Sequence, residues 1–117
     1  LRSLEEGYFV AIQGDRDYSG TGRRMPFLGR EVSFPVGPFR IAAASGAPIL
    51  PVFVLRGEGS TYRTVVEAPI RVEATRRGER EEAERRAMTD FVALLERTVR
   101  ENHDQWYTFS RFWEPPT

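Results

Sequence analysis

One continuous helical stripe of apolar side chains, between residues 79 and 102, constrains the fold of this 117-residue chain most strongly. Outside the stripe, oppositely charged residues form three pairs at i,i+4 spacing: Glu81/Arg85, Glu82/Arg86 and Glu96/Arg100. The stripe itself follows the three- and four-residue spacing of one helix face, with Met88, Phe91, Val92, Leu95 and Val99. The pattern predicts a long helix that packs with one face and is solvated on the other.

Short apolar runs elsewhere in the chain have the length of β-strands. Residues 8–12 are a continuous apolar run, which is typical of a strand buried on both faces. Residues 49–55 are a second run, and we expect Pro51 near its start or on an unpaired side because proline cannot donate to a β-ladder. Residues 62–67 and 70–74 are two further strand-like runs.

A short helix and a loop complete the predicted order of elements. Pro38 suits a first helical turn and Gly46 suits a left-handed helix end, so a helix is expected over residues 38–45. Small and polar residues between 17 and 29 predict a surface loop, the segment most expected to be disordered without ligand. The order indicates an α/β fold with a mixed sheet and flanking helices, in one domain over residues 1–117.

Composition excludes several classes of function. Seventeen basic and seventeen acidic side chains leave no net charge, so the overall balance does not favour nucleic acid as a partner. The absence of cysteine excludes disulfides, thiolate catalysis and cysteine-ligated zinc, and we expect no metal site. Every basic residue is arginine, which reflects either a GC-rich genome or the fit of the guanidinium fork to phosphate. No apolar run approaches the roughly 18 residues that span a bilayer.

Two local features could bind an anion. Arg16 follows the first predicted strand, and the neighbouring Asp15 can hold its guanidinium, which is a sound arrangement for a phosphate anchor. A simple salt bridge at the strand end explains the same residues equally well. The helix expected after Gly37 and Pro38 would present free N–H groups to a phosphate or oxyanion, although an ordinary helix entry is the simpler interpretation.

Neither the only histidine nor the glycine pair in the loop indicates a catalytic class. His103 lies near the end of the long helix, where the dipole favours a histidine, so we interpret it as structural. Gly20-Thr21-Gly22 is too short for a dinucleotide-binding or phosphate-loop fingerprint, and neither a strand-turn-helix context nor a lysine accompanies it.

Five motifs follow one another along nearly the whole chain: Gly14-Asp15-Arg16, Pro26-Phe27-Leu28-Gly29-Arg30, Phe34-Pro35-Val36-Gly37-Pro38, Gly46-Ala47-Pro48-Ile49-Leu50-Pro51-Val52-Phe53, and Gln105-Trp106 with Phe112-Trp113. Their order and spacing resemble the bacterial lysophospholipid acyltransferase superfamily. The nearer branch is the one similar to lipid A late acyltransferases, which includes predicted acyltransferases found beside glycosyltransferases.

The resemblance implies the carboxyl-terminal half of a glycerolipid acyltransferase-type α/β fold. It also implies transfer of a fatty acyl group from an acyl-carrier-protein or coenzyme A thioester to a hydroxyl of a lipid or glycolipid. Val36 stands where the glycerophosphate enzymes usually have glutamate, which favours the lipid A-like branch. The substrate-binding residues that the family motifs imply are Asp15, Arg16, Phe34, Pro35, Gly37, Pro38 and Pro51.

The resemblance places the catalytic base outside this sequence. In the family the base is the histidine of a His-x-x-x-x-Asp motif that precedes the Asp-Arg block. His103 has Thr108 five positions on and follows every other block, so it does not match that motif. The chain also begins without methionine, on what resembles the last turn of a helix ended by Gly7. We therefore expect the carboxyl-terminal part of a larger enzyme, with no catalytic residue of its own.

The implied partners are a lipid or glycolipid acceptor and the acyl thioester as co-substrate, with no bound cofactor. Peripheral contact with the cytoplasmic face of the bacterial inner membrane is expected. The aromatic tail, residues 105–113, either packs in the core or touches the membrane interface, where tryptophan and tyrosine sit well. The alternative function is a non-catalytic anion- or lipid-binding domain that kept the fold.

Overall fold

The structure is a computed structural model that describes residues 2–74, 76, 78–106 and 112–113. Its elements run in the order α1 (Arg2–Glu5), β1 (Arg23–Phe27), β2 (Arg30–Phe34), α2 (Gly37–Ser45), β3 (Val52–Arg56), β4 (Tyr62–Val66) and α3 (Arg80–Glu101), followed by a 3-10 turn at His103–Gln105. The predicted α/β class is confirmed. Within the described residues, the strands pair as two antiparallel two-stranded sheets, β1 with β2 and β3 with β4, and not as the single mixed sheet that was expected.

Helix α3 is the main support of the core. It confirms the helix expected over residues 79–102, and its apolar stripe is the buried face, as predicted. The face packs on β1 and on α2. Burying several medium and large apolar side chains at roughly 1.5–3 kcal/mol each is the main stabilising contribution of this helix. Its buried apolar residues are Ala83, Ala87, Met88, Val92, Leu95 and Val99.

The β1–β2 hairpin occupies part of the segment that was expected to be a loop. That expectation is wrong for residues 23–27, because Met25 and Phe27 alternate with exposed residues and are buried. Val32 and Phe34 do the same on β2, so the hairpin has one apolar face toward α3. The two-residue turn uses Leu28 at φ 50° and Gly29 at φ 83°, which suits the twist of a hairpin.

Helix α2 confirms the helix expected over residues 38–45. Pro38 lies in its first turn, and Gly46 follows it in the left-handed conformation, with a φ of 76°. The N–H of Gly46 donates to the carbonyl of Ala42, which ends the helix. Phe39 and Ala42 bury the inner face of α2 against the core.

The β3–β4 hairpin confirms two of the remaining strand predictions. Pro51 immediately precedes β3 and its carbonyl accepts the N–H of Glu67, in agreement with its expected place near the strand start. The strand expected over residues 70–74 is wrong, since only Ile70 pairs, in an isolated antiparallel bridge with Ile49. Val72 is nevertheless buried, so the apolar residues of this segment pack in the core without forming a β-strand.

The strand expected over residues 8–12 is also wrong. These residues form no strand, and Phe9 is 97% exposed. A strand that is buried on both faces needs neighbours that supply hydrogen bonds and cover both sides. Residues 8–12 have no strand beside them in the part of the chain that the structure describes.

The aromatic tail packs on the core through Trp106, Phe112 and Trp113, which confirms the core-packing alternative for these residues. Their rings surround Phe27, which is fully buried, at centroid distances of 5.7, 5.8 and 6.5 Å. The other tail positions, 107–111, lie outside the described residues. Within the described ranges, no helix has the length and apolarity to cross a membrane.

Candidate functional site

An apolar cavity of about 540 Å³ lies between the segment that precedes Arg16, the start of α2, the start of β3 and one side of α3. It has the size of a typical small-molecule site. Three of the residues that the sequence implicated, Asp15, Pro38 and Pro51, line it together. Most of the remaining lining is aliphatic or aromatic, contributed by Ile12, Phe39, Ile49, Leu50, Val52, Phe53, Val54, Phe91, Leu95 and Trp106.

Arg16 lies beside this cavity and is more enclosed than a surface arginine. Its side chain is 19% exposed, and its Nε lies 3.5 Å from Oδ2 of Asp15. The guanidinium carbon is 6.0 Å from the ring centroid of Trp106 and 5.9 Å from that of Phe112, within the range of cation–π attraction. The expected Asp15–Arg16 ion pair is therefore present, although it follows an irregular segment and not a strand.

The loop after Arg16 is folded around the carboxylate of Asp17. Oδ1 of Asp17 accepts the N–H and the hydroxyl of Ser19, at 3.1 and 2.7 Å, and the N–H of Gly20 at 3.2 Å. Oδ2 accepts the N–H of Gly22 at 2.9 Å and the hydroxyl of Ser33 at 2.5 Å. Residues 17–22 form a surface loop, as expected, and one carboxylate satisfies three of the loop's backbone amides.

These hydrogen bonds change the acidity of Asp17. Burial by itself raises the pKa of this carboxyl, but hydrogen bonds from the hydroxyls of Ser33 and Ser19 and from the amides of Gly22 and Ser19 outweigh it. The net effect lowers the pKa of Asp17 from 3.8 to about 2. The carboxylate is consequently ionised at any physiological pH, and Asp17 serves as an acceptor that organises the loop.

The start of α2 offers fewer free donors than the sequence suggested. The N–H groups of Phe39 and Arg40 both donate to the carbonyl of Val36, at 3.1 Å each, and Pro38 has no N–H. Of the first four helical positions, only Gly37 retains an N–H outside these bonds. A Cβ at Gly37 would meet no atom within 4 Å, so protein packing does not require glycine there. An anion at this helix start would have one backbone donor.

The other implicated residues have packing positions. Phe34 is 1% exposed, and its ring packs against Phe27 and Phe112 at centroid distances of 5.6 and 6.1 Å. Pro35 is half-buried in the link between β2 and α2, and Pro51 is buried at the cavity. The side chain of Phe34 therefore supports the site from the core and does not line the cavity.

Neither a metal site nor a histidine-centred catalytic site is present in the described ranges. His103 is exposed on the 3-10 turn after α3. Among residues 2–74, 76, 78–106 and 112–113, no three histidine, cysteine or acidic side chains cluster as metal ligands. The arrangement described so far can hold an anion beside an apolar ligand, and it does not itself contain an acid-base pair.

Comparison with family models decides what this arrangement belongs to. The model described as bacterial lipid A biosynthesis acyltransferase matches residues 1–114. The chain belongs to this acyltransferase family. No curated protein and no solved structure matches the chain. The resemblance inferred from the five motifs is therefore confirmed at the level of the family.

The contacts that two residues of this acyltransferase-family chain, Asp17 and Trp106, make at the site were not anticipated from sequence. Asp17 had a recognisable signal, since an aspartate followed by serine and glycine residues is typical of a loop that hydrogen-bonds to a side-chain carboxylate. Trp106 belongs to the tail motif Gln105-Trp106, but that motif implied no contact with Arg16. Its contact with Arg16 joins positions about 90 residues apart, and such long-range pairing has no local pattern.

Proposed function

We propose that this chain supplies the acceptor-binding part of an acyltransferase. The reaction moves a fatty acyl group from an acyl-carrier-protein or coenzyme A thioester to a hydroxyl of a lipid or glycolipid. Membership in the lipid A biosynthesis acyltransferase family supports acyl transfer as the reaction class. The acceptor's anionic group would bind at Arg16, with Asp15 orienting the guanidinium, and with the N–H of Gly37 as a second donor.

The observation that carries this proposal is the position of Arg16 beside an apolar cavity. Asp15 lines the cavity and lies within 3.5 Å of Arg16, so the cation and the apolar surface are adjacent. A lipid acceptor has the same two parts, an anionic group and hydrocarbon. Because the planar fork of arginine suits phosphate oxygens, the acceptor group that it fits best is a phosphate.

The catalytic base, in this proposal, comes from a His-x-x-x-x-Asp motif outside these 117 residues. General-base catalysis needs a neutral imidazole within hydrogen-bond reach of the acceptor hydroxyl and a carboxylate that orients it. His103 is exposed and has Thr108 at the position of the acid. These 117 residues alone are therefore expected to transfer no acyl group.

The proposal is tested in the full-length protein by measuring acyl transfer to a lipid A precursor with and without its phosphates. Arg16→Ala is expected to reduce transfer to the phosphorylated acceptor by at least about tenfold, since a charge-assisted hydrogen-bond pair contributes roughly 1.5–3 kcal/mol. Arg16→Lys keeps the charge and loses the fork, so a partial loss is expected. Arg63→Ala, which removes an exposed arginine of β4, is the matched control.

The dephosphorylated acceptor separates the possible results. If Arg16 binds the phosphate, wild type and Arg16→Ala will use the dephosphorylated lipid equally poorly. Unchanged transfer by Arg16→Ala to the phosphorylated acceptor would contradict the role given to Arg16. Equal use of both acceptors by the wild type would contradict a phosphate-bearing acceptor.

A non-catalytic anion- or lipid-binding domain is the second candidate, because Arg16 and the apolar cavity can bind a lipid without any chemical step. The two candidates differ in one measurement. A binding domain retains lipid A precursor in a co-sedimentation assay with the full-length protein and transfers no acyl group from either thioester. An acyltransferase does both.

We also propose that the protein works as a peripheral protein at the cytoplasmic face of the bacterial inner membrane. Several large apolar side chains are exposed, which supports contact with a lipid surface. Flotation of the full-length protein with vesicles of phosphatidylethanolamine and phosphatidylglycerol tests this. Phe9→Asp is expected to reduce flotation, and equal recovery of wild type and variant in the vesicle fraction would argue against contact through this segment.

A further inference from the structure

Trp106 is the aromatic residue that contacts both halves of the candidate site. Its ring centroid lies 6.0 Å from the guanidinium carbon of Arg16. The same residue lines the apolar cavity. The position of its ring therefore affects where the cation sits and also how large the cavity is.

The neighbouring Gln105 fixes the position of the backbone at Trp106. The side-chain amide of Gln105 makes two hydrogen bonds with the backbone of Arg56, at the end of β3. The N–H of Arg56 donates to Oε1 of Gln105 at 2.6 Å, and Nε2 of Gln105 donates to the carbonyl of Arg56 at 3.4 Å. Two hydrogen bonds from one planar amide fix orientation as well as distance. They join the segment after α3 to the strand whose start lines the cavity.

The packing around Trp106 restricts its ring further. Phe27 and Phe112 lie edge-on to it, at centroid distances of 5.7 and 5.0 Å. Its indole N–H is buried and has no hydrogen-bond partner in the described part of the chain. Leaving a buried donor unpaired costs about 1–3 kcal/mol.

We propose that Trp106 is a positioning residue for Arg16. Its ring holds the guanidinium at the edge of the apolar cavity, and Gln105 holds the ring in turn. The ligand recognised is a phosphate group that carries hydrocarbon, and this choice of ligand rests on the function proposed above. The tail motif Gln105-Trp106, which that function did not use, thereby acquires a role at the acceptor site.

The test compares Trp106→Leu with Trp106→Phe in the full-length protein. Leucine removes the aromatic face, whereas phenylalanine keeps a face for the guanidinium and removes the N–H. The binding of inorganic phosphate is measured by calorimetry. Because a cation–π contact of this kind is lost, Trp106→Leu should bind phosphate roughly fivefold more weakly than wild type. Trp106→Phe should bind it within about twofold of wild type. In acyl transfer to the phosphorylated lipid A precursor, KM should rise by the same factor while kcat is kept.

Trp113→Leu is the matched control. Trp113 packs in the same aromatic cluster, 6.3 Å from Trp106 between ring centroids, and its N–H donates to the carbonyl of Phe27. Loss of packing alone would affect Trp113→Leu as much as Trp106→Leu. Gln105→Glu, which cannot donate to the carbonyl of Arg56, should raise KM in the same direction as Trp106→Leu.

The two readouts separate this inference from the proposed function. Trp106-dependent phosphate binding without any acyl transfer would support the role of Trp106 and contradict the enzyme. Acyl transfer with an unchanged KM and unchanged phosphate affinity in Trp106→Leu would overturn the role of Trp106 and leave the enzyme intact. Absence of phosphate binding by the wild-type protein, or equal effects of Trp113→Leu and Trp106→Leu, would also overturn it.

Discussion

The hydroxyl of Ser33 on β2 donates to Oδ2 of Asp17 at 2.5 Å, across 16 positions of sequence. This bond fastens the loop that follows Arg16 to the hairpin that leads into α2. The two regions implicated in anion binding are thus tied together by one carboxylate. Since Asp17 is adjacent to Arg16, the geometry of the loop sets the backbone position from which the guanidinium extends.

The low pKa of Asp17 predicts a pH dependence of stability. Its folded pKa of about 2 lies below its ordinary value of 3.8, so its contribution is present above about pH 4 and is lost as pH falls through 2. Between about pH 6 and pH 2, the unfolding free energy of the wild type should fall by up to about 2 kcal/mol more than that of Asp17→Asn, measured by urea unfolding. Asp90→Asn, at an exposed position of α3, should lose as much as the wild type. If the unfolding free energies of wild type and Asp17→Asn fell in parallel with pH, the Asp17 carboxylate would contribute nothing to stability.

The backbone of Gly22 predicts a second sensitive position. A Cβ there would lie 2.2 Å from the carbonyl oxygen of Phe34 and 2.6 Å from Oδ2 of Asp17. The carbonyl belongs to β2 and cannot move without disturbing the hairpin. Gly22→Ala should therefore destabilise the protein by about 1–3 kcal/mol, the usual cost of overpacking. Gly37→Ala, where a Cβ meets no atom within 4 Å, is the control and should unfold at the wild-type denaturant midpoint or above it.

The parts of the fold that the sequence predicted well are those with local signals. Helix α3 has a long periodic stripe, and α2 has a proline in its first turn and a glycine after its end, so both were found within one or two residues of their observed bounds. Strand β4 was found because the apolar and β-branched run from 62 to 67 has the right length. Each of these patterns is set by neighbours in sequence.

The failures are positions where distant residues decide. Residues 8–12 have the composition of a buried strand, but strand formation requires a partner, and none of the described residues supplies one. Strand β1 was missed because Met25 and Phe27 alternate with residues atypical of strands, among them Pro26. Asp15, Pro38 and Pro51, which the sequence implicated, line one cavity. The contact of Arg16 with Trp106 had no local signal, because it depends on the packing of a residue 90 positions away.

Glu96 is predicted to stabilise the turn of the β1–β2 hairpin. Leu28 has a φ of 50°, which disfavours any residue with a branched or bulky side chain, and its N–H donates to Oε1 of Glu96 at 2.7 Å. Glu96→Ala leaves this half-buried N–H without its charged acceptor and should cost about 1–2 kcal/mol of the unfolding free energy. Glu101→Ala, at an exposed position of the same helix, should change it by less than about 0.5 kcal/mol. Equal urea midpoints for the two variants would contradict a stabilising role of the hydrogen bond between Leu28 and Glu96.

Arg16→Ala has a predicted cost in stability as well as in function. Substitution of a fully exposed arginine usually changes the unfolding free energy by no more than about 0.5 kcal/mol. The side chain is instead 19% exposed and lies near the rings of Trp106 and Phe112. Losing both contacts should cost about 1 kcal/mol of unfolding free energy, and Arg16→Lys should recover part of it. Urea unfolding measures both variants. Because this loss is too small to unfold most of the molecules of a typical domain, a tenfold loss of acyl transfer in Arg16→Ala would reflect acceptor binding and not a missing fold.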